Sequence, residues 1–452
     1  MEKQSIESLL GNKEKWPDLI DILQCFDFYG CLNKANPNLL AYIVKNFDRI
    51  LSMVFDEKIK DSKILTALVS ILCSSNTAVK NVLFTETKFV NYIIEYPKTV
   101  KIYHPPSIPR YFHSLPSFIS DNSSEISYPF ANKDFIESIV QICDLIEAFT
   151  FMKNFLNSRS PYISFFLTQI NIFQMLINII TDNNILSLHG ILLFESIVDR
   201  YARQCAAAIV NNNMITRMIN LSLQKDANHM ADFTNFLYQE SYKYPNESIW
   251  QTIQFLVDDR IPEICEFILS RPKFMPISRS LCEIILTYLE FQGNFFPKAV
   301  HVTEKLISDI FTHPTNTFLH NTSLKFIDIL SNYPAQFIET CSRTELCKKI
   351  IENDRSNHEQ GNSCVWGVLW QISLLIQNPI GVPKKDWDLV IARNKKMHSI
   401  ISMPLPNVVL KKYSRMANNI VPSSVSPRFS LINIFAVVIA LIAGILVYAN
   451  NK

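Results

Sequence analysis

Between Asp134 and Phe149 the chain reads DFIESIVQICDLIEAF. Phe135, Ile139, Ile142, Ile146 and Phe149 recur at three- and four-residue intervals, with Ile136, Val140 and Cys143 flanking the same stripe. Asp134, Glu137, Gln141 and Asp144 fall on the opposite side. This is the period of an amphipathic α-helix, and it predicts a helix through this window with the apolar stripe toward a core. The spacing returns in HVTEKLISDIF, through Val302, Leu306, Ile310 and Phe311, and in SLKFIDILSNY, through Leu324, Ile327 and Leu330 before Pro334 stops it.

Outward from these windows, breakers recur at Asp182-Asn183-Asn184, Asn211-Asn212-Asn213, Tyr244-Pro245-Asn246, Arg271-Pro272, Gln292-Gly293-Asn294, His313-Pro314 and Tyr333-Pro334. The intervals are about 30 residues at first and about 20 later, one helix with its loop in each, so that a later helical pair has the size of an armadillo or HEAT unit. The fold expected is all-α, an armadillo/HEAT-like helical-repeat solenoid over residues 1–400; an irregular helical bundle is the alternative. Two stretches interrupt the rhythm. Six prolines between Pro97 and Pro129 read as a long connection over 97–129, and Pro404, Pro406, Pro422 and Pro427 mark a basic Pro/Ser linker over 401–428.

Composition narrows the function. Of 452 residues, 48% are hydrophobic, 19% are charged, and the net charge is +2. Only 8 residues are glycine, against a usual share of roughly 7%. Folds that need glycine for phosphate loops or tight hairpins are therefore excluded. No HExxH, CxxC or GxSxG occurs: His358-Glu359 is followed by Gln360, Gly361 and Asn362. Cys25 with Cys31 and Cys341 with Cys347 lack zinc-knuckle spacing, Pro314 separates His313 from His320, and Cys364 near His358 is read as an unreactive thiol. No catalytic, metal-binding or cofactor-binding residue is assigned, no cofactor is expected, and neither nucleic acid nor a small-molecule substrate is an expected partner.

The last stretch differs from the rest. Leu431 to Ala449, LINIFAVVIALIAGILVYA, carries no charge, and nineteen residues at about 1.5 Å each approach the thickness of a bilayer's hydrocarbon core. A transmembrane helix is expected over 429–449, including Leu431, Phe435, Leu441, Gly444 and Tyr448. Only three residues follow it, so insertion is expected after translation, as in tail-anchored proteins. Residues 384–428 carry a net +7 and residues 1–383 a net −6. The positive-inside rule then puts the body on the cytosolic face of an intracellular membrane, of the endoplasmic reticulum or secretory pathway, with the C-terminus lumenal. Lys411, Lys412, Arg415 and Arg428 are expected to meet lipid headgroups. The ten cysteines should remain free thiols there, and the sequons at Asn122, Asn246 and Asn321 unglycosylated.

Ile6-Glu7-Ser8-Leu9-Leu10, Leu19, Leu23 and Asn38 to Ile43 resemble the opening of the SAPS-domain proteins, regulatory subunits of protein phosphatase 6-type phosphatases. Asn316-Thr317-Phe318-Leu319-His320 looks like that family's N-x-F-L-H stretch, followed by Leu346 to Ile351 and by Val365-Trp366-Gly367-Val368-Leu369. Val368 stands where the family has histidine, and a membrane anchor is not a usual family feature. The resemblance implies a helical-repeat fold, a protein phosphatase 2A-like catalytic subunit as partner, and Asn316, His320 and Trp366 as candidate contacts. Of these, Asn316 reads as a helix cap, and Trp366 as either a core plug or an exposed anchor; Phe318 and Leu319 read as a buried helix start. The expected function is a membrane-anchored, non-catalytic scaffold that recruits the phosphatase. The alternative is a tail-anchored armadillo-type adaptor in trafficking without a phosphatase.

Overall fold

The computed structural model describes residues 5–11, 16–55, 61–85, 87–103, 107–119, 132–181, 185–293, 295–360 and 365–401. Among the described residues every regular element is an α-helix. The chain divides into two compact units, Met1–Thr344 and Glu345–Lys452, where the sequence suggested a single body to residue 400.

The first unit opens with α1 (Ile6–Leu10), α2 (Leu19–Leu23), α3 (Phe28–Asn33), α4 (Pro37–Lys45), α5 (Phe47–Phe55), α6 (Ser62–Leu72) and α7 (Thr77–Thr85). It continues through α8 (Thr87–Tyr103), α9 (Ile108–Ile119), α10 (Lys133–Val140), α11 (Ile146–Leu156), α12 (Pro161–Gln169), α13 (Ile172–Thr181) and α14 (Ile185–Val198). Then follow α15 (Ala202–Asn211), α16 (Met214–Lys225), α17 (Asn228–Ser241), α18 (Ser248–Asp258) and α19 (Ile261–Ser270). It ends with α20 (Pro276–Gln292), α21 (Pro297–Thr312), α22 (Thr317–Ser331) and α23 (Pro334–Arg343). Each helix packs chiefly on helices within four places of it in the chain. Local chemistry sets the starts. Asp18, Asn36, Asp61, Asn132 and Asn316 accept first-turn N–H groups through their side chains, and Pro37, Pro161, Pro276, Pro297 and Pro334 begin helices where a missing N–H costs nothing.

The window 134–149 is two helices rather than one. The ladder stops at Val140, and residues 141–145 form tight turns in which Ile142 N–H donates to Ile139 O at 3.1 Å and Leu145 N–H to Ile142 O at 3.0 Å. Ile142 and Cys143 stay buried inside that turn, so the apolar pattern runs on across a break in the helix. The new helix axis turns Ile146 outward, to 69% exposure. Likewise, the intervals of about 30 residues hold two helices each. The unannounced breaks include Asp226 at φ 52°, one of five non-glycine residues with left-handed backbone among the described residues, with Ala35, Asn171, Asn213 and Glu345. In a chain so short of glycine, these residues take its place at helix ends.

The Pro-rich stretch also departs from expectation. Its described residues as far as 119 are mostly helical, with Pro97 inside α8 and Pro109 in the first turn of α9; residues 104–106 and 120–129 lie outside the described residues. Proline in a helix interior leaves the carbonyl four residues earlier without its N–H donor. Here that carbonyl belongs to Ile93, and the Tyr111 hydroxyl of α9 donates to it at 2.6 Å. Phe89, Ile93, Tyr96 and Val100 bury one face of α8, and Tyr96 stacks on Tyr111 at 4.3 Å. Packing outweighs the proline penalty of about 3 kcal/mol.

The second unit consists, among the described residues, of α24 (Leu346–Gln360), α25 (Trp366–Leu375) and α26 (Lys384–Ile401). Cys347, Ile350, Leu369, Ile372, Trp387 and Val390 form its core. Arg393 pairs with the buried Asp354 at 2.6 Å, and the Asn394 amide donates to Ser373 Oγ at 2.9 Å. The linker beyond Ile401, with Lys411, Lys412, Arg415 and Arg428, and the segment 429–449, with Leu431, Phe435, Leu441, Gly444 and Tyr448, lie outside the described residues. Among the described residues no single helix is long and apolar enough to cross a membrane; two bent pairs, α6 with α7 at 85° and α12 with α13 at 58°, reach that length and composition together.

Candidate functional site

Within the first unit, α11 packs on α14, α17 on α20 and α20 on α22, each pair two or three helices apart in the chain. Phe149 of α11 meets His189 of α14 at 5.4 Å, and Phe194 of α14 meets Phe233 of α17 at 5.6 Å. Gln239 donates to Thr287 Oγ1 at 3.2 Å, and that hydroxyl donates to Asn235 Oδ1 at 2.9 Å, tying α17 to α20. Lys325 reaches Glu283 at 2.9 Å, tying α20 to α22. Ile146, Leu188 and Leu192 are exposed at one end of this row and Phe318 at the other.

At the Phe318 end the first turns of α17, α20 and α22 meet the loop 271–275 around a pocket of about 190 Å³. Asn228, Asp232, Phe274, Met275, Pro276, Arg279, Ser280, Asn316 and Phe318 line it. The start of α20 is fixed by Pro276 and by the Met275 N–H donating to Ser278 Oγ at 3.2 Å. The start of α22 is fixed by Asn316, whose Oδ1 accepts the Leu319 N–H at 3.0 Å. Three helix N-termini with positive partial charge thus face one cavity. The Arg279 guanidinium lies over the Phe318 ring, 4.8 Å from its centroid, and makes no ion pair among the described residues. Asn228 Oδ1 is shut off from solvent and takes no hydrogen bond among the described residues.

Asp232 also looks toward α14. Burial, with the Asp232 charge adding to it, pushes the Glu195 carboxyl up to about 7. Burial holds the His229 imidazole below its ordinary value, with Asp232 opposing.

Asn316 caps α22 and lines the pocket. His320, one turn on, is not a surface histidine: it is 6% exposed, burial lowers its pKa, and its Nε2 has no hydrogen-bond partner among the described residues. A neutral imidazole in the core is therefore not a direct partner contact. Phe318 reverses the expectation of burial. It is 58% exposed while Leu319 is fully buried, because the second position of α22 points across the mouth of the pocket toward Arg279. Trp366 belongs to the second unit, where it is half-buried and stacks on Trp370 with centroids 6.2 Å apart and planes at 15°. Gly367 has open space where a Cβ would sit, so packing does not demand glycine there. The sequence reading missed Arg279, Asn228 and Asp232; only Pro276 announced a helix start in their neighbourhood.

Among the described residues no group of three or more His, Cys, Asp or Glu could hold a metal ion. Seven of the nine described cysteines are buried, and burial pushes thiols up, Cys25 to about 11 and Cys265 to about 12. Such thiols are poor nucleophiles. Cys364 lies outside the described residues.

No protein-family model matches the chain, and no curated protein matches it significantly.

Proposed function

We propose that the chain is a non-catalytic scaffold built as a helical-repeat solenoid. It would be held at the cytosolic face of an intracellular membrane, of the endoplasmic reticulum or secretory pathway, by a single-pass segment over 429–449 with its C-terminus lumenal. Its cargo would be a protein phosphatase 2A-like catalytic subunit of the protein phosphatase 6 type. The observation that carries the docking part is the row of α11, α14, α17, α20 and α22, which ends in an exposed aromatic and an arginine without an ion pair among the described residues, over a pocket. Tryptophan, tyrosine and arginine dominate the energetics of protein interfaces, and an exposed Phe–Arg stack belongs to the same chemistry. The phosphatase rests on the SAPS resemblance, and the anchor on the charge-free run after a basic stretch.

Purification of the tagged full chain from detergent extracts tests both parts. A co-purifying phosphatase catalytic subunit is expected, with Trp366→Ala lowering its recovery while helical circular dichroism persists. The wild type should resist carbonate extraction, and truncation after Arg428 should release it. Carbonate release of the intact chain would remove the anchor. A preparation without phosphatase would leave the alternative, an adaptor that docks a different protein.

A further inference from the structure

We infer that the pocket between α17, α20 and α22 receives one apolar side chain from an extended segment of the docked protein, with an acidic residue beside it. The inference deepens the docking reading above and rests on it. Three observations converge. The cavity walls are mostly apolar, with Phe274 and the exposed Phe318 among them, so the side chain that fills it must be apolar. Arg279 stands at the same cavity, stacked on Phe318 and lacking an anionic partner among the described residues. A stacked guanidinium still offers its edge donors, and a carboxylate can take two of them at once. Third, Asn228 is one of the lining residues, and its Oδ1 is shut off from solvent with no donor to meet it among the described residues. Leaving such an acceptor unmet is costly; a turn of the Asn228 side chain into the pocket brings it to a peptide N–H, the donor that any extended segment supplies, and if the amide is turned over, the segment's carbonyl serves instead.

Asp232 fixes the register. It lines the pocket too and makes no ion pair with Arg279. A carboxylate set down beside Asp232 would be repelled, so the acidic residue is accepted only where Arg279 reaches it. The class selected is therefore an acidic–apolar segment; a basic–apolar segment is disfavoured at Arg279.

The test is selection of a display library of random short peptides on the purified full chain in detergent, run in parallel on Arg279→Glu. Arg279 and Phe318 are exposed, so their substitution leaves the core in place. Peptides selected on the wild type should share an apolar residue with Asp or Glu next to it, and on Arg279→Glu that acidic preference should give way to Lys or Arg. A selected peptide, labelled and titrated by fluorescence anisotropy, should bind at least about tenfold more weakly to Arg279→Glu and to Phe318→Ala. Equal affinity for wild type and Arg279→Glu, or selected peptides without an acidic preference, would overturn the inference. Charge-dependent selection in a preparation that yields no phosphatase would uphold the pocket and reject only the partner's identity.

Discussion

Phe318 and Leu319 are neighbours in the chain and opposites in environment, one lying over the pocket beneath Arg279 and the other sealed in the core. Leu319→Ala should therefore cost about 2–5 kcal/mol through the cavity it leaves, and Phe318→Ala no more than about 1 kcal/mol, the scale of an exposed cation–π contact. Denaturant titration of the two variants checks the order. The alternation of apolar and polar residues around position 318 could not reveal this, because the arginine that occupies its ring comes from another helix. Asn316 was legible as a cap because capping is a local transaction between a side chain and an N–H three residues on. Glu195 makes a second prediction. Its carboxyl is raised to about 7 in the folded chain from an ordinary 4.5. Below 4.5 both states hold the proton; between 4.5 and about 7 the unfolded chain gives it up first, so stability falls as pH rises. For a partly exposed pair with Asp232 the loss should be about 1–2 kcal/mol after solvent screening. Glu195→Gln should remove that slope and leave the variant more stable than the wild type above pH 7; a parallel slope in both proteins would contradict the assignment.

At the scale of the helix, Pro97 and Tyr111 form a unit. The proline frees the Ile93 carbonyl, and a hydroxyl from the next helix meets it. Tyr111→Phe should cost about 1–3 kcal/mol by leaving that carbonyl unmet. In a Pro97→Ala background, where the helix supplies its own N–H, the same substitution should cost much less. Chemical denaturation of the four proteins in a double-mutant cycle measures the coupling, and its absence would mean that the hydroxyl is incidental. Helix type and the breaks at Pro245, Pro272, Gly293, Pro314 and Pro334 were legible because proline and glycine act on their own backbone. The breaks at Asn171, Asp226 and Glu345 were not, since these residues enter the left-handed region only when packing on both sides requires it. Nor was the break after Val140, because Ile142 and Cys143 bury themselves in the turn and carry the apolar rhythm through it.

For the whole molecule, the charge asymmetry that orients the proposed anchor has a separate readout. Asn246 lies exposed in the turn between α17 and α18, and Asn321 is exposed on α22, both in N-x-S/T sequons. On a body facing the cytosol neither is modified, so the chain expressed in a glycosylating cell should show no mobility shift on deglycosylation; a shift abolished by Asn246→Gln would place the body on the lumenal side. The pocket was the least legible feature at this scale. Asn228, Arg279 and Asn316 come together only through the row of helices, and no spacing in the sequence records that row. The same near-neighbour packing has a mechanical meaning. When each helix leans chiefly on those a few places away, a pull on the first unit should load one small interface at a time, each yielding before the next is strained. Such a body lengthens in steps under tension and recoils by zipping local contacts back, with little chain to search. Hauled between the proposed membrane anchor and the proposed cargo, it would stretch like a seam giving stitch by stitch, where a body with one long-range core would hold and then fail at once.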